Sequence, residues 1–297
     1  FERVLQLVFA YMDMLRREGP KKWLYEEQAQ LADLAFRFRS SPEPIHYVSA
    51  LVSGMHVYAP EDVLRGPSLM EEYKKAMFED LMSALVPENA LVTFSDKLAK
   101  TDQVSEYYQV PYSAKTPDTA EIESWRNVAA IDSLRLPAPN DFIAEDVSLK
   151  AISSDNSAVP QVVLEKARQK IWFQQDEEFR IPKGATYINF RSTEVGKSAR
   201  QTAAAVLYTA LLKDAVNEFA YPAYLAGLNF DLYKHAQGIS LRVSGYDDKQ
   251  AILLEQMLKT IKASSFDAKR FANIRKDMIR SLENAVAGRP SSQVIAD

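Results

Sequence analysis

The sequence predicts an α+β protein, and three observations carry that prediction. Apolar residues recur at helical spacing through most of the first 85 residues. Strict apolar/polar alternation appears late, in "LNFDLYKHAQGISLRVSGY" (228–246). Around that stretch the order runs strands, helix, hairpin, helix, helix, which suits one antiparallel-rich sheet with helices packed on a single face.

The elements follow in order. "FERVLQLVFAYMDMLRREGP" is helical from its start, with Val4, Leu7, Val8, Tyr11, Met14 and Leu15 on one stripe. Gly19-Pro20 stops it and begins another helix, in which Trp23, Leu24, Leu31, Leu34 and Phe38 make a broad apolar face. The loop "SSPEPIH" breaks that helix, and a third is predicted over Ile45–His56 and a fourth over Leu69–Leu85. After the turn at Pro87-Glu88-Asn89, "ALVTFS" (Ala90–Ser95) reads as a buried strand. A less regular stretch runs through Tyr107–Tyr112, followed by a short helical piece near Ile122–Val128.

Residues 134–160 differ in composition, with several Pro, Ser and Asp and little periodicity, and read as an extended linker. Beyond it, Gln161–Gln175 is a hairpin with Val163, Ile171, Trp172 and Phe173 apolar, and "ATYINFRS" is β-rich. "SARQTAAAVLYTALLKDAVNEFA" is a long helix, apolar around much of its circumference and therefore expected to be buried. In the hairpin 228–246, Ile239, Leu241 and Val243 point one way and Ser240, Arg242 and Ser244 the other. Asp247-Asp248 is expected to cap the next helix, where Leu254, Met257, Leu258 and Ile261 keep helical spacing. A last helix from Asp267 carries Phe271, Ile274, Met278 and Leu282.

Composition bounds the function. A chain of 297 residues, 47% hydrophobic and 26% charged, has apolar material for two cores. The formal charge of −4 argues against an electrostatic nucleic-acid binder. Lys21-Lys22, Lys74-Lys75 and Arg275-Lys276 each have acids nearby and read as solvated helix faces. The absence of cysteine excludes disulfides, thiolate zinc sites and cysteine nucleophiles, and leaves the compartment open. No apolar run approaches the ~20 residues of a membrane span, and no signal peptide is visible. The chain opens with Phe inside an amphipathic helix, so it is expected to be cut from something longer, a trimmed mature terminus being the alternative.

Few residues of the chain stand in patterns that carry chemistry. The three histidines, His46, His56 and His235, have no partner at metal-ligand spacing, so neither H-E-x-x-H nor H-x-x-E-H occurs. His235 lies beside the turn "HAQG" and suits a turn or surface role. No G-x-S-x-G, P-loop or G-x-G-x-x-G is present. Glu26-Glu27, Glu71-Glu72 and Asp247-Asp248 are adjacent pairs, which on a helix diverge and make no acid/base couple. No catalytic and no metal-binding residue is assigned, and catalysis by the isolated chain is not expected.

"SLRVSGYDDKQAILLEQMLKTI" resembles the third domain of the insulinase (pitrilysin, M16) family of zinc peptidases. "EGPKKWLYEE", "AFRF", "PAPNDFI", "KIWFQQDEEFRIPKG", "LLKDAVNEFAYPAYLAGLNFDL" and "FDAKRFANIRKDMIRSLENAVAGRP" agree, in the family's order and across nearly the whole chain. The resemblance implies two related peptidase-like α/β domains, the first incomplete and helix-rich. Residues 1–133 would be the later part of the middle domain, 134–160 the linker, and 161–297 a truncated third domain. It also implies a parent enzyme that hydrolyses peptide bonds with zinc held in a separate N-terminal domain, and no cofactor in this chain. Partners implied are peptide substrates and the parent's N-terminal catalytic and C-terminal domains, with no nucleic acid and no membrane. A bacterial parent would be periplasmic by the same resemblance. Phe230, in "GLNFDL", matches a family position that contacts substrate; relatives with Tyr there have a hydroxyl that Phe230 lacks. A core aromatic is the competing reading of Phe230, and a stand-alone peptidase-like interaction or scaffold protein the competing reading of the chain.

Overall fold

The structure, a computed structural model, describes residues 1–129, 131–263 and 265–286. It divides into two compact units, Phe1–Asp33 with Ala50–Pro139, and Leu34–Ser49 with the chain from Asn140 onward.

The first unit is almost entirely helical. Helix α1 (Glu2–Glu18) packs against α4 (Lys75–Ala84) and α5 (Thr119–Arg126). Met14 and Trp125 are buried, and the Phe9 and Trp125 rings stack with centroids 6.3 Å apart. Arg16 closes the end of α4: its guanidinium donates to the carbonyls of Met82 (3.2 Å) and Leu85, acceptors that the helix leaves unpaired. The helix α5 begins at a capping box in which the Asp118 carboxylate accepts from the Glu121 amide (2.8 Å) and Glu121 accepts from the Asp118 amide (3.0 Å). That box starts the helix earlier than apolar spacing predicts. The only ladder among the described residues of this unit is two residues long, β1 (Gln103–Val104) on β2 (Pro111–Tyr112).

Two predictions fail here. Ala90–Ser95 is not a buried strand: it is irregular, with Leu91 95% and Phe94 54% exposed. A strand needs a neighbour for its backbone groups, and no described strand pairs with this run. The helix expected over Leu69–Leu85 starts at Lys75. Helices α2 (Lys22–Arg37) and α3 (Pro44–Gly54) form where predicted.

The second unit contains β3 (Gln161–Lys166), β4 (Gln169–Phe173), β5 (Lys183–Arg191), α6 (Ala199–Leu225), β6 (Asn229–His235), β7 (Gly238–Tyr246), α7 (Asp247–Ala263) and α8 (Ala268–Val286). An antiparallel sheet runs β5-β7-β6. Register sets Ile188 opposite Leu241 and Leu241 opposite Leu232, so one face is an apolar row. Helix α6 covers it over β6 and α7 over β7, and α6 also packs on α7 and α8. Leu212, Val216, Leu232, Leu241, Val243, Leu253 and Met257 are fully buried between these layers.

Three expectations change in this unit. The hairpin β3–β4 forms a sheet of its own, and Trp172 and Phe173 are exposed by more than half. Helix α6 is buried along one side only: Leu212, Val216 and Ala220 are covered, whereas Tyr221 and Tyr224 face solvent. It also continues through Pro222, whose carbonyl accepts from Asn140 Nδ2 (2.9 Å). Asp247-Asp248 forms the first turn of α7, and the Asp248 carboxylate binds a different segment, accepting from the amides of Glu145 (3.0 Å) and Asp146 (3.3 Å). Phe142, Ile143 and Ala144 are buried just before that point, so 134–160 carries no helix or strand yet is pinned in its middle.

Gly245 has φ +127, and a Cβ there would meet the Gly227 carbonyl oxygen at 2.3 Å. The buried Gln250 amide ties this corner by donating to the carbonyls of Gly184 and Gly245, both at 2.8 Å.

Leu241→Ala is expected to destabilise the second unit by about 2–5 kcal/mol, measured by denaturant unfolding, because a fully buried side chain leaves a cavity between sheet and helices. The Asp248 carboxyl is held below its usual 3.8, chiefly by the Glu145 amide. A depressed carboxyl contributes stability above its unfolded-state value and loses it as pH falls through its folded-state value. Asp248→Asn is therefore expected to flatten the fall in melting temperature below pH 3.8, as read by thermal melts across an acid series.

Candidate functional site

Strand β7 decides what each side of the sheet offers. Ile239, Leu241 and Val243 face the helices, and Ser240, Arg242 and Ser244 face away. Phe230 pairs with Val243 and therefore stands on the helix-bearing face beside Leu232, half-buried near the edge of β6. The side chain that sequence singles out as a substrate contact thus shares its face with the core.

The other face is polar and aromatic. Tyr187 on β5 and Asp231 on β6 both stand opposite Arg242. The Arg242 guanidinium carbon lies 5.5 Å from the Tyr187 ring centroid. The Asp231 carboxylate is bonded by Lys213 Nζ of α6 at 2.9 Å. Ser240, buried between its neighbours, donates to the Asn189 side chain. At one end this face is closed by residues of the 34–49 segment. Tyr246 Oη donates to the Leu34 carbonyl (3.0 Å), the Phe38 ring meets Tyr246 edge-on, and Lys183 Nζ donates to the Phe38 carbonyl (3.1 Å). Burial pushes the Tyr246 phenol up, against the charge of Arg37.

A depression of about 450 Å³ opens where β5 ends and α6 begins, lined by Arg191, Ser192, Thr193, Gly196, Lys197 and Gln237. Its Lys197 is already paired with Glu194, which also accepts from Gln201 (3.1 Å).

The histidines do not assemble. His46 and His56 are exposed, with His46 Nε2 3.9 Å from Glu43. His235 Nδ1 accepts from the Gln237 amide (3.2 Å), which ties it to the β6–β7 turn. Among the described residues no group of three His, Cys, Asp or Glu side chains converges, so a catalytic zinc does not fit the described residues. No described helix is long and apolar enough to cross a membrane.

Sequence reading missed the pairing of Arg242 with Tyr187. Alternation along β7 already turned Arg242 away from Val243, but the neighbour on β5 is set by register, which is tertiary information.

Comparison with known proteins places this architecture. The family described as "Middle or third domain of peptidase_M16" matches residues 36–296. Insulin-degrading enzyme of Bos taurus is 34% identical over 291 residues, covering 97% of this chain and 29% of that protein. The A-factor-processing enzyme of Saccharomyces cerevisiae is 28% identical over 298 residues, covering 99% of this chain and 29% of its own length. The chain thus spans under a third of these relatives. The crystal structure of pitrilysin matches 99% of this chain and 31% of its own at a TM-score of 0.78; its 20% identity speaks to the fold alone. With a helix-covered antiparallel sheet and a family match over nearly its whole length, the chain belongs to the peptidase M16 (insulinase) family, as part of the middle region of such a peptidase.

Proposed function

We propose that this chain is a non-catalytic segment of a zinc metalloendopeptidase, helping to form the chamber that encloses peptides and positioning them for hydrolysis at a zinc site in another domain. The observation that carries this reading is the family match over residues 36–296, joined to a chain whose described acids and histidines do not converge. In the same reading residues 1–133 are the later part of the middle domain, 134–160 the linker and 161–297 the third domain. The work left to such a segment is recognition. Extended peptides are held by main-chain bonds to sheet edges and by side chains that project beside them. The sheet β5-β7-β6 leaves one edge of β5 and one edge of β6 without a described partner strand.

The isolated chain is expected to hold no stoichiometric zinc after dialysis and to leave a quenched fluorescent peptide uncut, while the parent protein cuts it and is stopped by a chelator. Chelator-sensitive cleavage by the chain alone would overturn the reading, as would a reading frame with no H-x-x-E-H upstream of Phe1.

Phe230 is the proposed substrate contact. Phe230→Ala in the full-length enzyme is expected to raise KM with kcat nearly unchanged, since a contact shared by ground and transition states affects binding alone. A purely packing role predicts the opposite pattern, an unchanged KM and a loss of up to about 3–5 kcal/mol of stability. Steady-state kinetics and thermal melts on the same preparations separate the two.

A further inference from the structure

We propose that the helix-free face of the β5-β7-β6 sheet selects extended peptides that carry an acidic side chain, with Arg242 as the carboxylate-binding group and Tyr187 as the ring that holds its guanidinium in place. This rests on the reading of the chain as a peptide-handling segment and names the chemistry it selects.

Four observations lead there. First, Arg242 sits on the central strand, where it projects from the middle of the face and is exposed. Second, its natural intramolecular partner is already engaged. Opposite charges directly across an antiparallel pair normally attract each other. Asp231 stands directly across from Arg242, yet its carboxylate is bonded at 2.9 Å by Lys213, which reaches it from α6. No other described carboxylate lies within ion-pair distance of Arg242, and beyond the ladder bonds of its backbone its side chain makes no other polar contact among those described.

Third, the guanidinium leans over Tyr187, toward β5, at 5.5 Å from the ring centroid. A cation held near an aromatic ring in this way is attracted to it, and with no ion pair of its own its N–H donors remain available. Those donors match the two oxygens of a carboxylate in a bidentate arrangement. Tyr187 is 58% exposed and Tyr233, on β6, 40%, so the face also offers two rings beside the cation for the peptide's own side chains.

Fourth, the local charge is opposite to that of the whole chain. The protein carries a formal −4. On this face Lys183, Arg191 and Arg242 project from the strands, and the one carboxylate, Asp231, is neutralised by Lys213. An acidic peptide therefore meets a cationic surface with its one acid already paired, and the attraction falls as salt screens it.

The test uses the full chain and two short fluorescein-labelled peptides that differ only in a central Glu-Glu or Gln-Gln pair, read by fluorescence anisotropy. The Glu peptide is expected to bind on the order of tenfold more tightly at low salt, equivalent to about 1.4 kcal/mol. Arg242→Gln is expected to bring that ratio to about one while leaving the Gln peptide's affinity and the melting temperature unchanged, because the side chain is exposed. Equal binding of both peptides by the unmodified chain, or a ratio that survives in Arg242→Gln, overturns the assignment of Arg242 and leaves the peptide-handling reading standing. Binding of neither peptide overturns both.

Discussion

The second unit depends on the burial of one strand. β7 is hydrogen-bonded on both edges, to β5 along 9 residues and to β6 along 7, and its Leu241 and Val243 are sealed by α6 and α7. Apolar burial and ladder pairing act here on the same residues. Each of these side chains is worth ~1.5–3 kcal/mol relative to exposure, and each paired amide avoids the cost of a buried donor without an acceptor. Once the strand is placed, the alternation of its side chains determines both faces. Val243 brings Phe230 to the covered side, and Arg242 is sent to the open one.

Much of the remaining order comes from single polar side chains that satisfy irregular backbone. A segment without helix or strand has amides and carbonyls that need partners wherever they leave solvent. Asp248 takes the amides of Glu145 and Asp146, Asn140 takes the amide of Phe142 at 3.0 Å, and Gln175 bonds Ser153 N (3.1 Å) and the Ala151 carbonyl (2.8 Å). Gln250 does the same for the ends of β5 and β7. These contacts explain how a Pro- and Ser-rich stretch lies against the second unit instead of running free.

The chain belongs to the M16 family, and its described acids and histidines do not converge on one site. The described acids of this chain are mostly spent on structure. Asp146 is held to about 2 by the Ser148 hydroxyl, with its amide and Lys150 adding to the effect, and Glu121 is lowered by Lys115 before its capping role is counted. Carboxyls engaged in this way remain ionised and are poor proton carriers near neutral pH.

By itself, the sequence determined what short-range periodicity can determine. The α+β class, the helices α1, α2 and α3 and the hairpins 161–175 and 228–246 were legible because a period of 3.6 or 2 is written along the chain, and the resemblance to the peptidase family rested separately on whole segments such as "SLRVSGYDDKQAILLEQMLKTI". Ala90–Ser95 misled because a short apolar run looks the same with or without a strand to pair it. Asp248 reads as a cap in the sequence because its long-range partners, the amides of Glu145 and Asp146, leave no trace in spacing. Only the tertiary structure decided that the face Phe230 shares with Leu232 is the helix-covered one and that Arg242 lies over Tyr187 instead of pairing with Asp231. Both outcomes are set by strand register and by Lys213 arriving from a helix 18 residues away in sequence, and register is chosen by the burial of the whole sheet, not by any segment within it.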